Sequence, residues 1–247
     1  MSAVSGLVAA TATLELLQLE PPGWGAPLLR GLASSMMIAF GAYGLGLLLG
    51  LCGAFGKLYG GPVLRDLMAV YTTVVRAVPE LVLILILFYA GTDAVNQILL
   101  GLGYDRIQIS GVAAGIGVLG VVQGAYATEV LRGAIQAVPA GQIEAARAMG
   151  MAPAMIARRV TLPLMLPNAL PGLGNLWLNA TKDTALLAVV GFAELTQTTR
   201  QAAGATKAYF TFFMAAGVLY LTISLISGWI FARMERRARR GMPEMRA

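Results

Sequence analysis

The sequence predicts an all-α integral membrane protein with about five transmembrane helices and a short helix between the third and the fourth. Composition is the first reason. Hydrophobic residues make up 57% of the 247 residues and charged residues 12%, with a mean hydropathy of +0.73, whereas soluble domains carry about 25% charged residues. A soluble fold of this length therefore has no way to bury its apolar side chains.

The apolar stretches have the length that a membrane demands. A helix needs about 20 residues to cross the hydrocarbon core, since the core is roughly 30 Å thick and each residue rises about 1.5 Å. The stretch 67–91 meets this requirement only if it contains Arg76 and Glu80. None of the stretches alternates with a two-residue period, so helices are favoured over the strands of a barrel. Within one domain of residues 1–247, the predicted spans are about 31–56, 67–91, 107–131, 160–181 and 208–232.

The residue types exclude several kinds of chemistry. The chain has no histidine and one cysteine, so a disulfide framework, a zinc site and histidine catalysis are ruled out. The stretch from Gly53 to Lys57 lacks the glycine spacing and the final Ser or Thr of a phosphate-binding loop. We expect no enzyme activity, no metal and no cofactor in this chain. The glycines of the first span are instead expected to permit close helix packing.

Loop charges predict the orientation, because Lys and Arg accumulate on the cytoplasmic side of bacterial-type membranes. With the amino terminus outside, the carboxyl terminus inside and five spans, twelve of the eighteen cations lie inside, five lie outside and Arg76 lies within the second span. The inside set is Lys57, Arg65, Arg132, Arg147, Arg158, Arg159, Arg233, Arg236, Arg237, Arg239, Arg240 and Arg246. The outside set is Arg30, Arg106, Lys182, Arg200 and Lys207. The predicted location is the inner (plasma) membrane.

The two ends of the chain carry further expectations. The first 30 residues lack a basic start followed by an apolar core and a small-residue cleavage site, so no cleaved signal peptide is predicted. The basic tail from Arg233 directly follows the last span. We expect this tail to contact anionic lipid headgroups and not nucleic acid.

A distinctive segment, 138–163, separates the third and fourth predicted spans. It reads VPAGQIEAARAMGMAPAMIARRVTLP. Residues 142–149 are good helix formers, and Gly150 is the usual residue just beyond a helix end. Pro153 fits the first turn of a second helix. The segment therefore predicts a short amphipathic helix, a sharp turn and an entry into the fourth span.

This segment resembles the EAA loop of the permeases of binding-protein-dependent ABC importers. The matching positions keep the family's spacing, with Val where the family prefers Ile, and are Glu144, Ala145, Ala146, Gly150, Val160, Leu162 and Pro163. In that family the loop forms a coupling helix that docks in a groove of a cytoplasmic ATPase. The resemblance assigns this role to Glu144, Ala145, Ala146 and Gly150.

The same resemblance implies a type I ABC importer permease with several partners. These are a cytoplasmic ATPase dimer that binds ATP and Mg, a second permease subunit that is identical or paralogous, and a periplasmic or tethered amino-acid-binding protein. Alternating access driven by ATP hydrolysis in the separate ATPase is the implied mechanism. An ion-coupled secondary transporter and a membrane scaffold are the rival classes, although the chain shows no repeated halves of the kind that many secondary transporters have.

Other stretches look like the polar amino-acid branch of the family, the histidine, basic amino-acid and opine permeases. They begin at Arg76, Gly124, Leu170 and Lys182, and the likeness covers nearly the whole chain beyond about Gly25. The resemblance implies import of arginine, lysine, ornithine, histidine or an opine. A glutamine- or glutamate-type permease is the alternative, and Asp183 departs from family patterns that have Ser at its position.

Charges that a span retains are candidates for substrate binding, because an unpaired charge in the membrane costs several kcal/mol. Arg76 and Glu80 lie four residues apart around Pro79. This spacing predicts either an internal ion pair beside a proline kink or a substrate site. Glu129 precedes Arg132 by three residues, which also permits an ion pair at the membrane surface.

The resemblance places Thr128 and Glu129 near the substrate pathway. We therefore hypothesise that Glu129, together with Glu80, provides negative charge for a basic substrate. For Asp183 and Thr184 two interpretations stay open, lining of the pathway and ordinary solvation in an outer loop. The stretch 185–193 is too short to cross the membrane and is expected to dip back into the bundle.

Overall fold

The structure is a computed structural model that describes residues 15–240. All regular secondary structure in this part of the chain is helical, which confirms the predicted all-α fold class. The start of the chain, on which the signal-peptide expectation partly rests, and Arg246 lie outside the described residues. From Gly25 onward the α-helices are α1 Gly25–Tyr59, α2 Pro62–Ala77, α3 Glu80–Gly101, α4 Gly111–Gln136, α5 Ala140–Ala148, α6 Pro153–Ile156, α7 Leu162–Asp183, α8 Leu195–Thr206 and α9 Tyr209–Ala238. A π-helical turn, Ala157–Thr161, joins α6 to α7, and a 3-10 helix, Thr184–Val190, follows α7.

Four of the described helices are long and apolar enough to cross a membrane, namely α1, α3, α4 and α9. The predicted segments 31–56, 107–131 and 208–232 coincide closely with α1, α4 and α9. The predicted segment 160–181 falls mainly in α7, which is not among the four. Pro167 and Pro171 lie inside that helix, and its asparagines lower its hydropathy further. A membrane crossing by α7 therefore stays a prediction.

The second predicted span, 67–91, differs from the structure because it is not one continuous helix. Helix α2 ends at Ala77 and α3 begins at Glu80. Between them Val78 is extended, with φ −91° and ψ 139°. Pro79 explains the interruption, because proline disfavours helical backbone at the residue before it and has no N–H to donate.

Helices α1 and α4 form the packed centre of the chain. Gly46, Gly50 and Gly53 follow one another on the face of α1 that contacts α4. A Cβ atom added to Gly46 would lie 2.8 Å from the Cβ atom of Gln123, closer than real Cβ contacts allow. The glycines therefore let the two backbones approach, as the sequence predicts. Gly44 is the exception, since nothing lies within 4 Å of its added Cβ.

The remaining helices pack around this pair. Trp177 of α7 donates from Nε1 to Ser227 Oγ of α9 at 2.8 Å, and the Tyr43 hydroxyl of α1 donates to the Leu173 carbonyl of α7 at 3.1 Å. The 3-10 helix returns to the bundle, where Leu187 is fully buried and packs in one cluster with Ile38 of α1. This placement agrees with the predicted dip into the bundle.

A buried carboxylate ties α8 to its neighbours. Glu194 caps the amino terminus of α8 and accepts hydrogen bonds from the backbone N–H groups of Thr196 at 2.8 Å and Gln197 at 2.7 Å. The hydroxyls of Ser35 in α1 and Tyr220 in α9 donate to the same carboxylate at 3.2 and 3.3 Å. Three helices thus meet at one side chain.

The α1–α4 packing generates a testable prediction. Gly50→Leu places a side chain against the backbone of Ala127 and Thr128, and overpacking of this kind costs about 1–3 kcal/mol or more. Gly44→Leu is the matched control, because open space surrounds its added Cβ. We expect thermal unfolding in detergent to occur at a lower temperature for Gly50→Leu only. Equal unfolding temperatures for the two variants would contradict the packing described here.

Candidate functional site

Two interrupted helices flank the middle of α4. Glu80 is the first residue of α3, directly after the break that ends α2. Asp183 is the last residue of α7, directly before the 3-10 helix. Gln123 lies at the midpoint of α4. Each of these two places therefore brings a carboxyl group beside the midpoint of α4.

The side chains at this level form a cluster, here called the acidic cluster and consisting of Glu80, Gln123, Tyr126 and Asp183. The carboxyl groups of Glu80 and Asp183 lie close enough to interact directly, and the Tyr126 hydroxyl lies beside Glu80. Gln123 Nε2 donates to Asp183 Oδ2 at 3.0 Å. Both acids are half-buried. Two carboxyl groups are thus held side by side in a partly buried place.

Two cationic side chains, Arg76 and Lys182, lie near this cluster, and neither takes part in the ion pairs found among residues 15–240. The Arg76 guanidinium lies 5.9 Å from the centre of the Tyr126 ring, over its face, an arrangement in which the ring attracts the cation. Lys182, beside Asp183, is exposed. The predicted internal pair of Arg76 with Glu80 is not among the ion pairs of residues 15–240.

Glu129 lies elsewhere, about 9 Å further along α4 by its rise per residue. One carboxylate oxygen of Glu129 accepts from Lys57 Nζ at 2.5 Å, and the other accepts from Arg132 at 2.7 and 3.0 Å. Lys57 also donates to Thr72 Oγ1 at 2.7 Å. This network joins α1, α2 and α4, and two cations compensate the single carboxylate.

The hydroxyl groups of Thr128 and Thr184, the two threonines predicted as substrate contacts, each donate to a backbone carbonyl three or four residues earlier in the chain. Thr128 Oγ1 donates to the Gly124 carbonyl, and Thr184 Oγ1 donates to the Thr181 carbonyl, each at 2.8 Å. Both side chains are fully buried. Of the five substrate candidates, the structure therefore brings Glu80 and Asp183 together and places Glu129, Thr128 and Thr184 in other surroundings.

Sequence reasoning missed Gln123 and Tyr126. The available signal was their polarity within the uncharged and largely apolar stretch 107–128. Without the fold, however, nothing indicated that this face of α4 meets both helix interruptions.

The segment between α4 and α7 has the predicted shape of a short helix, a turn and a second helix. The turn depends on Gly150, whose φ of +76° favours glycine. Around it, the Met151 N–H donates to the Ala146 carbonyl at 3.1 Å and the Gly150 N–H donates to the Arg147 carbonyl at 2.9 Å, which closes the end of α5. Pro153 then occupies the first turn of α6.

Helix α5 presents most of its surface outward. Glu144 and Ala145 are exposed, whereas Ala146 is buried against the rest of the chain. Met149 is 83% exposed, which is unusual for a large apolar side chain. An exposed short helix with small residues and a projecting methionine is suited to docking against another protein.

The family model for the binding-protein-dependent transport system inner membrane component matches residues 42–240. The chain belongs to this family. It is therefore a multi-pass inner-membrane permease of a transport system, and the family that the sequence indicates is confirmed.

Curated relatives of the permease match it over nearly their whole length. The nopaline transport system permease protein NocQ of Agrobacterium fabrum is 44% identical over 231 residues, which are 93% of this chain and 98% of the relative. The histidine/lysine/arginine/ornithine transport system permease protein HisQ of Salmonella typhimurium is 39% identical over 215 residues, 87% of this chain and 94% of the relative.

Solved structures support the fold of the permease. A chain from the crystal structure of an amino acid ABC transporter with histidines has a TM-score of 0.73 and 32% identity, covering 87% of this chain and 95% of that chain. A chain of the MetNI methionine ABC transporter in an inward-facing conformation has a TM-score of 0.72 at 22% identity, covering 89% and 99%. The latter likeness concerns the fold alone.

The ion pairs of Glu129 generate a second prediction. Glu129→Gln leaves Lys57, whose side chain is 14% exposed, without its carboxylate, and such a loss costs about 1–3 kcal/mol. Glu235→Gln is the control, because it breaks the more exposed pair with Arg239, worth about 0–1 kcal/mol. We expect thermal unfolding in detergent to shift clearly for Glu129→Gln alone. Unchanged stability together with a lost preference for arginine over glutamine in uptake would instead favour the substrate role hypothesised for Glu129.

Proposed function

We propose that this permease is a subunit of an ATP-driven importer of basic amino acids or opines, and that the acidic cluster binds the cationic part of the substrate. The observation that carries the proposal is the hydrogen bond from Gln123, at the midpoint of α4, to Asp183 at 3.0 Å, with Glu80 as a second carboxyl group close by. Two carboxyl groups in a poorly hydrated place repel each other when both are ionised. A cation bound between them relieves that repulsion.

The surroundings of the cluster support a binding role. Helices interrupted near the middle of a membrane are a recurring feature of transporter substrate sites, since irregular backbone is tolerated there only against protein or a watery cavity. Here the break before Glu80 and the change from α-helix to 3-10 helix after Asp183 supply that feature on both sides of α4. Each acid also lies at a helix end, where a modest rearrangement of the neighbouring segment can open or close the site.

The relatives point to the same class of substrate. The names of NocQ and HisQ state transport of nopaline and of histidine, lysine, arginine and ornithine, and the permease protein OccQ of Rhizobium radiobacter, 36% identical over 229 residues, is named for octopine. A permease for cationic amino acids or for opines fits both the names and the two carboxyl groups. Glu80 and Asp183 take the role for which the sequence favoured Glu129.

We propose further that α5 is the coupling helix. In this proposal Glu144, Ala145, Ala146 and Gly150 form the docking region for a separate cytoplasmic ATPase dimer, which binds ATP and Mg. The exposed side chains of α5 and the left-handed turn at Gly150 support it. The permease then has its amino terminus outside and its carboxyl terminus in the cytoplasm, pairs with a second permease subunit, and receives substrate from a binding protein on the outer side.

Uptake by the complete transporter in proteoliposomes tests the substrate site. Glu80→Gln and Asp183→Asn each remove one of the two charges, and we expect each to lower ATP-driven arginine uptake at least about tenfold, since a charge-assisted contact is lost. Asp105→Asn is the control, because Asp105 is exposed in the loop after α3. Uptake that is unchanged in both cluster variants would contradict the proposed site.

The choice of solute separates the alternatives. We expect the unaltered transporter to take up arginine or an opine and to leave glutamine and glutamate outside. Preferential uptake of glutamine would identify the glutamine- or glutamate-type permease instead. Uptake that follows an ion gradient without ATP would identify a secondary transporter.

Substitutions at Gly150 test the coupling role. Gly150→Asp forces a side chain into a backbone conformation that costs about 1–2 kcal/mol, within the proposed docking region. Gly103→Asp is the matched control, because Gly103 also has a positive φ, +85°, with open space around it, and lies at the other end of the molecule after α3. We expect Gly150→Asp to insert normally and to lose ATP-driven uptake, while Gly103→Asp keeps it. Full uptake by Gly150→Asp would contradict the docking role.

A further inference from the structure

Gln123 is the one side chain of the acidic cluster that is almost completely buried, with 2% of its surface exposed. Its Nε2 atom donates to Asp183 Oδ2. Its Oε1 atom is also buried and has no hydrogen-bond partner, a condition that it shares, within residues 15–240, with Oε1 of Gln197 in α8. A buried acceptor without a partner loses the hydrogen bonds that water gave it and gains none in return.

The orientation of this amide follows from its neighbour. The amide nitrogen of Gln123 faces Asp183, which is the orientation that an ionised carboxylate selects, because it accepts hydrogen bonds and donates none. The amide oxygen is on the other side of the same planar group and is buried without a hydrogen-bond partner. Rotating the amide would bring its oxygen against an oxygen of Asp183, and two acceptors would then face each other when that carboxyl group is ionised. The fold therefore keeps a free acceptor on the side chain that donates to Asp183.

We propose that Gln123 determines specificity in this site, with Oε1 accepting a hydrogen bond from the guanidinium group of an arginine-like amino acid or opine. This inference rests on the proposed function, because it assumes that the acidic cluster binds the cationic part of the substrate. It adds the chemical group that the cluster recognises. A guanidinium is planar and has five N–H donors in a fixed fork.

The number and kind of acceptors favour a guanidinium over an ammonium. Glu80 and Asp183 provide carboxylate oxygens, one of which, Asp183 Oδ2, already accepts from Gln123. The remaining carboxylate oxygens suffice for a compact ammonium with three donors. A guanidinium spreads its donors over a wider plane and has two more of them, so the amide oxygen adds a partner that an ammonium does not need. Gln123 thus contributes more to binding arginine than to binding lysine.

The neighbouring cations do not replace this acceptor. Arg76 lies over the Tyr126 ring and Lys182 is exposed beside Asp183. Both are donors only. They reduce the negative charge of the site, which makes the hydrogen-bond pattern matter more for the choice between two substrates that carry the same charge.

Equilibrium binding to the reconstituted transporter tests the inference. The measurement uses labelled arginine and labelled lysine, without the binding protein, so that the membrane site alone determines the result. We expect the unaltered transporter to bind arginine more tightly than lysine. In Gln123→Met, which keeps the size of the side chain and removes the acceptor, we expect arginine to bind about tenfold more weakly and lysine to change by less than about twofold.

Two further variants make the outcomes distinguishable. Gln197→Met is the matched control, because it removes the other free buried amide oxygen outside the acidic cluster, and it should leave the ratio of arginine to lysine affinity unchanged. Asp183→Asn tests the proposed function by itself, since it should weaken both ligands. If Asp183→Asn has no effect on either ligand, the proposed function is overturned.

If Asp183→Asn weakens both ligands but Gln123→Met weakens arginine and lysine equally, the guanidinium inference alone is overturned. The unaltered transporter provides a test that does not depend on the folding of any variant. Equal affinities for arginine and lysine there would also overturn the inference.

Discussion

The close approach of α1 and α4 is the constraint on which the rest of the molecule depends. It needs glycine on the contact face of α1, at Gly46, Gly50 and Gly53, because any side chain there would meet α4. With α4 held in this way, the α2–α3 pair and α7 pack around it with their interruptions facing its middle. The position of the functional groups is therefore a result of backbone packing, and no direct bond between α3 and α7 is required to bring Glu80 and Asp183 together.

The ionisable groups of the membrane region divide into two kinds because of this arrangement. Near the end of α4 that leads to α5, Glu129 is bound by Lys57 and Arg132, and its charge is compensated within the chain. At the midpoint of α4, Glu80 and Asp183 face each other, with Gln123 donating to one of them. A compensated network suits stability, whereas a pair of carboxyl groups suits a cationic ligand. The distance between the two levels lets α4 serve both purposes.

Much of the fold could be predicted from the sequence, because length, hydropathy and turn residues act locally. The apolar stretches indicated α1, α4 and α9, and Gly150 and Pro153 indicated the turn between α5 and α6. The break at Pro79 was expected only as a kink, since sequence alone does not say whether the backbone continues after a proline. The pair of Glu129 with Arg132 was expected from its spacing and is present, but the contacts of Glu129 with Lys57 and of Asp183 with Gln123 were unpredictable for a different reason. Lys57 and Glu129 are 72 residues apart and Gln123 and Asp183 are 60 apart, so only the packing of the helices determines that they meet.

Electron cryo-microscopy of the assembled transporter with bound arginine is the measurement that tests the central claim most directly. The account predicts density for the arginine side chain between Glu80 and Asp183, at the midpoint of α4, with Glu129 still paired with Lys57 and Arg132. Density for the amino acid beside Glu129, with the Glu80 and Asp183 region empty, would contradict it.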